Sequence, residues 1–188
     1  MYTTLQMFFV DTKNPTNFIR GSVRSYSIGV LSSCNLVIEN SHIIGIHSGV
    51  NSTGNLTVNG GIYEGYGHGG IYASGTNSLV HIVNATINDC NFPDGFGEPI
   101  INRTNCGMYV GGGEGCDNIK VYMDNCTISG LQYAVAMRGS SNEHNNQIYL
   151  SKCVLKQAVR IDNDSHRIII GQNNQLNGFS AHEDVCVQ

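Results

Sequence analysis

Apolar and polar residues alternate with a period of two through most of the chain. Five segments laid under one another show it best: "NLVIENSHIIG" from 35, "NLTVNGGIYEG" from 55, "SLVHIVNATIND" from 78, "NIKVYMDNCTISG" from 118 and "NQIYLSKCVLKQ" from 146. Each reads as an alternating strand, a short polar corner and a second short strand. Period-two alternation predicts β structure, and no stretch carries the 3.6-residue period of an amphipathic helix.

One column fixes the register. Asn40, Asn84 and Asn125 each follow an inward apolar residue by two and precede another by three. Gly60, Lys152 and Asn173 occupy the same place. Asn and Gly tolerate the left-handed backbone that a tight corner needs. Successive members lie 20, 24, 41, 27 and 21 residues apart. A period in this range is that of a solenoid, and the single long interval marks a turn with an insertion over 88–106.

A third strand precedes each segment: "SIGVL" from 27, "GVNST" from 49, "GIYAS" from 70, "GMYVG" from 107, "AVAMR" from 134 and "AVRID" from 158. The second residue is apolar in all six, and the fourth in all but one, where Ser52 stands. Three strands per turn, an Asn/Gly corner and variable loops resemble the pectin lyase-like superfamily over residues 17–176. That resemblance implies an all-β fold, a right-handed parallel β-helix (β-solenoid). Six or seven rungs would make a rod roughly 30 Å tall. The chain reads as one domain, 1–188. Residues 1–16 are either a first rung or a partial cap, and 177–188 form a tail at the other end. Neither resembles a full cap, so the rod is expected to belong to a longer chain or assembly, as a homo-oligomer or stacked on another domain.

Composition narrows the partners. Charged residues make up 13% of the chain and the net charge is −4, which gives no electrostatic footprint for nucleic acid. The longest compact apolar run, "MFFV", is too short to insert into a membrane. The N-terminus shows neither the basic nor the long apolar region of a signal peptide. Six Asn-x-Ser/Thr sequons add little in a chain this rich in Asn, Ser and Thr.

Seven cysteines leave at least one unpaired within the chain, and no C-x-x-C spacing points to zinc. Cys126 and Cys153 each follow the corner column by one residue in neighbouring rungs. Stacked Cβ atoms ~4.8 Å apart are wide for a disulfide, so a reduced thiol stack is expected. A Cys90–Cys106 bridge closing the insertion is a second expectation.

The resemblance places ligands on the outer face of the third strand. Its outward columns read Gly29, Asn51, Tyr72, Tyr109, Ala136, Arg160 and then Leu31, Thr53, Ser74, Gly111, Arg138, Asp162. Tyr72 and Tyr109 can stack on sugar rings, or be β-favouring residues of an exposed sheet. Arg138 and Arg160 can bind sugar carboxylates bidentately, or be solvated arginines paired with Asp162 or a loop acid. Asn51 and Asp162 complete the candidate binding set.

Gly67-His68-Gly69 is the tripeptide that pectin hydrolases of this superfamily carry beside an Asp pair and an Arg-x-Lys motif. The preceding rung here, "IHSGVNSTG", holds no carboxylate. Glycoside hydrolysis needs two, which only Asp94 and Glu98 of the insertion can supply. His68, Asp94, Glu98, Arg138 and Arg160 are the candidates for any catalysis, while the residues around His68 read first as a turn in which a histidine beside glycines enters a strand. No metal or cofactor is expected, and calcium enters only with lyase chemistry.

Two functions follow. One is a non-catalytic, glycan-recognising or structural β-helix of an adhesin, surface appendage or phage tailspike, placed at a cell or virion surface and binding a polysaccharide or cell-surface glycan. The alternative is a polysaccharide lyase or glycoside hydrolase acting on acidic, pectin-like polysaccharide.

Overall fold

The computed structural model describes residues 8–9, 17–90, 104–112, 116–138, 145–161, 167–176 and 185–187. Among them the chain forms strands and no helix. In chain order these are β1 (Phe8–Phe9), β2 (Asn17–Ser25), β3 (Ile28–Ser32), β4 (Leu36–Gly45), β5 (Ser48–Ser52) and β6 (Leu56–Gly65). Next come β7 (Ile71–Ala73), β8 (Leu79–Asp89), β9 (Cys106–Gly111), β10 (Lys120–Asp124), β11 (Thr127–Ser129) and β12 (Tyr133–Arg138). The last are β13 (Gln147–Ser151), β14 (Val154–Leu155), β15 (Ala158–Ile161), β16 (Arg167–Ile170), β17 (Gln175–Leu176) and β18 (Val185–Val187).

Each strand pairs in parallel with the strand one turn along, not with its neighbour in sequence. β1, β3, β5, β7, β9, β12 and β15 build a seven-stranded first wall. The remaining strands build an eleven-stranded sheet that folds around the corner. This is a parallel β-solenoid. The described residues make about five turns. Toward the ends β1, β14 and β17 shrink to two residues each.

The corner column carries positive φ throughout: Asn40 at 42°, Gly60 at 72°, Asn84 at 56°, Asn125 at 52°, Lys152 at 52° and Asn173 at 61°. One left-handed residue turns the chain without stopping the ladder. Glu39 pairs with Asn59 and Ser41 with Gly61 on either side of it. β4, β6 and β8 therefore run unbroken around the corner, where the alternation suggested two strands with a gap. The Asn125 amide donates to the Asn84 side-chain oxygen at 2.7 Å, tying neighbouring corners together.

The first-wall register corrects one reading. Val30, and not Ile28, pairs with Val50, so Leu31 lies beside Asn51. The slip is two residues. Alternation has a period of two, so such a slip keeps the same residues inward and is invisible to the hydrophobic pattern. Gly29 therefore leaves the outward column and Leu31 replaces it.

The interior is a continuous stack. Val30, Val50, Ile71, Met108 and Val135 are fully buried one above another. Val58, Ile82 and Val121 are likewise buried on the second sheet. Each such side chain contributes roughly 1.5–3 kcal/mol by leaving water. Ser32 and Ser52, paired in the inner column, keep their hydroxyls satisfied. Ser32 donates to the Cys34 carbonyl at 3.1 Å and Ser52 to that of Gly54 at 3.0 Å. That local bond explains how serine occupies an apolar column.

Candidate functional site

On the outer face of the first wall, Leu31, Asn51, Tyr72, Tyr109, Ala136 and Arg160 stand in register. His47 and His68 come from the two segments that enter β5 and β7. The amide of His68 donates to the carbonyl of His47 at 2.7 Å, so the two residues occupy the same place in successive turns.

The rings form one cluster. His47 and His68 meet edge to face with centroids 4.4 Å apart. His68 lies 5.2 Å from Tyr72 and stacks on Tyr109 at 5.4 Å with an interplanar angle of 18°. Tyr72 and Tyr109 are 4.9 Å apart. Rungs spaced ~4.8 Å apart impose these separations, so rings from successive turns lie against each other. The faces that the sequence offers to a sugar are in part covered by neighbouring rings. Tyr109 is buried, and Tyr72 remains partly open. Beside Tyr72, the Ser74 hydroxyl donates to Asn51 Oδ1 at 3.3 Å.

Burial governs the protonation of the cluster. Desolvation, then the charges of His47 and Arg138, push the His68 imidazole down to about 4. Burial also lowers His47. Both rings are neutral at physiological pH, and each Nδ1 is buried without a hydrogen-bond partner. Burial, then Cys116 and Tyr109, push the Tyr72 phenol up to about 12. A histidine with so low a pKa and no partner on Nδ1 is a weak general base near neutrality.

The glycines beside His68 have a structural task. Gly69 has φ of 82°, and a Cβ there would meet the carbonyl oxygens of Cys106 and Gly107 at 2.4 Å. The Gly67 carbonyl accepts both the amide of Thr104, at 2.8 Å, and its hydroxyl, at 3.0 Å. The Gly-His-Gly tripeptide is where two turns make close backbone contact.

Arg138 acts on His68 through its charge, and Arg160 lies one turn farther along the wall. Arg160 sits over the ring of Tyr133 with its guanidinium carbon 5.6 Å from the centroid. Arg138 is in register with Gly111. Asp94, Glu98 and Asp162 lie outside the described residues. Among the described residues no three His, Cys, Asp or Glu side chains group as metal ligands.

Cys126 and Cys153 are reduced thiols stacked at the corner. Cys90 and Cys106 are reduced as well, so the bridge expected between them is absent. The Cys106 thiol turns instead to Thr104 Oγ1 at 3.1 Å, and burial pushes its pKa up to about 12.

A second ring ladder is not among the candidates that the sequence suggested. On the outer face of the other sheet, His81, Tyr122 and Tyr149 are in register. Tyr122 lies 5.0 Å from His81 at 12° and 4.5 Å from Tyr149 at 7°. Its signal is present in the aligned segments. Each of these rings stands between the two inward apolar residues of its strand, in the column that Thr57 occupies in the turn below. A shallow depression of about 340 Å³ is lined by this ladder together with Val83, Asp124 and Ser151.

Fold and site together define a parallel β-solenoid whose two walls carry ring ladders in step with its turns. No family model, no curated protein and no solved structure matches this chain.

Proposed function

We propose that this protein is a non-catalytic, glycan-recognising β-solenoid of a surface appendage, an adhesin or a phage tailspike. The observation that carries the reading is the half-open Tyr72 ring beside the Asn51–Ser74 amide–hydroxyl pair. An apolar ring face next to paired polar groups is what a sugar requires, with its C–H face and its hydroxyl rim. The same site argues for binding over chemistry. His68 is held neutral by burial, and its Nδ1 has no group to orient it.

A glycan array tests the reading. Binding that is lost in Tyr72→Ala and weakened in Asn51→Ala supports it. Release of unsaturated uronate or of reducing ends from polygalacturonate would instead establish the lyase or hydrolase alternative. Absence of both binding and cleavage would leave the rod as a structural spacer.

A further inference from the structure

The wall that bears His81, Tyr122 and Tyr149 has a property unconnected with the His68 site. Its central outward column runs Val37, Thr57, His81, Tyr122, Tyr149 and Ile169, one residue per turn. The rings stack face to face within 12° of parallel, so each covers its neighbour's face and mainly edges are left for contact. Such a stack offers a sugar little face. It does offer a strip of ring edges to another such strip. Leu79, 38% exposed, and Phe18, 59% exposed, lie on the same wall.

Two flanking columns border the strip. In each strand one flank is two residues before the centre and the other two residues after it. A two-fold axis parallel to the solenoid axis would bring the early flank of one copy against the late flank of the other, at the same height. The pairs that result match in four successive turns. Asn55 meets Asn59, Leu79 meets Val83, Lys120 meets Asp124 and Gln147 meets Ser151. Apolar faces apolar, a cation faces an anion, and an amide faces a hydroxyl or an amide. A two-fold axis perpendicular to the rod would pair different turns and lose this match. The Lys152–Asp124 ion pair at 3.4 Å is exposed at both ends and leaves Asp124 open to a second cation.

We propose that this wall is the interface of a parallel, side-by-side homodimer. The self-complementary sequence of the two flanks identifies the occupant as a second copy of this chain. The central column then meets itself across the two-fold axis, Tyr122 against Tyr122 and Tyr149 against Tyr149.

Sedimentation equilibrium over a concentration series, on the full chain, tests this with charge reversals. The wild type should dimerise. Asp124→Lys alone and Lys120→Glu alone each place like charges together and should raise the dissociation constant at least about tenfold. An equimolar mixture of the two variants should dimerise again, because each flank contact then joins a cation to an anion. That rescue shows that neither variant lost its dimer by misfolding. A wild type that stays monomeric at every concentration overturns the proposal. So does a dimer indifferent to both reversals, or a mixture that fails to pair. Oligosaccharide protection of Tyr122 and Tyr149 in a monomeric protein would assign the wall to a glycan and equally overturn it.

Discussion

The His68 ring stacks on the Tyr109 ring at 5.4 Å, although the two residues belong to successive turns of the solenoid and lie far apart in sequence. The stacking is a direct product of the rung spacing, and it decides the chemistry of the histidine. Buried among His47, Tyr72 and Tyr109, the imidazole gives up its proton far more readily than in water.

Stability should fall in mild acid. In the unfolded chain the His68 imidazole takes up its proton near 6.5, and in the folded chain only near about 4. Between those values the unfolded state holds more protons, so stability declines as pH falls through that window and is level above it. Melting temperature followed from pH 7.5 to about 4 should show the slope. His68→Phe keeps a ring in the stack and should flatten much of it. A variant as acid-sensitive as the wild type would remove His68 from the account.

Gly69→Ala should destabilise more than an ordinary surface change. The positive φ alone costs roughly 1–3 kcal/mol for a side chain. The added methyl also meets two backbone oxygens that belong to the next turn. Denaturant unfolding measures the effect. His68→Ala beside it should cost less if the glycines, more than the histidine, hold this crossing together.

Lys152→Asn should stabilise. Lys152 sits at φ of 52° in the column where other turns place Asn or Gly. Asn tolerates that conformation better, and it can extend the amide ladder that Asn125 makes with Asn84. The substitution removes the ion pair with Asp124, but that pair is exposed and contributes little. A net stabilisation of about 0.5–1 kcal/mol in denaturant unfolding is expected. A destabilised variant would mean that the lysine does more at this corner than its geometry shows.

Alkylation of the native protein should discriminate among the thiols. Cys34 and Cys90 are half-buried, while Cys106, Cys116, Cys126 and Cys153 are buried. A hydrogen bond to Cys153, and then burial, push the Cys126 thiol well above its ordinary range. Of these six thiols, peptide mass analysis should find Cys34 and Cys90 modified first. Cys126 should react only on unfolding. Equal rates would contradict the packed corner.

Much of the fold was legible because a solenoid repeats its instructions. Alternation identified strands, and the Asn/Gly column located the corners within one residue. The same repetition hid the first-wall register. Ile28 and Val30 are interchangeable to a period of two, and only pairing with β5 chose Val30. The unbroken course of β4, β6 and β8 was hidden for a related reason: polar corner residues look like a gap, yet a single left-handed residue leaves the ladder intact on both sides.

The site was legible as a list of residues and not as a set of contacts. Tyr72 and Tyr109 could be placed in one outward column from the sequence. That His47 and His68 pack against them, that Tyr109 is buried and that Cys106 turns to Thr104 depend on how successive turns stack. The Tyr122–Tyr149 ladder was written in aligned segments, but its face-to-face stacking is a matter of ring orientation. By itself the sequence determined which residues face in, which face out and where the chain turns, because these follow from local periodicity and backbone preference. Only the tertiary structure decided which outward side chains touch, and which of them keep their protons, because contact and desolvation arise when separate turns are stacked.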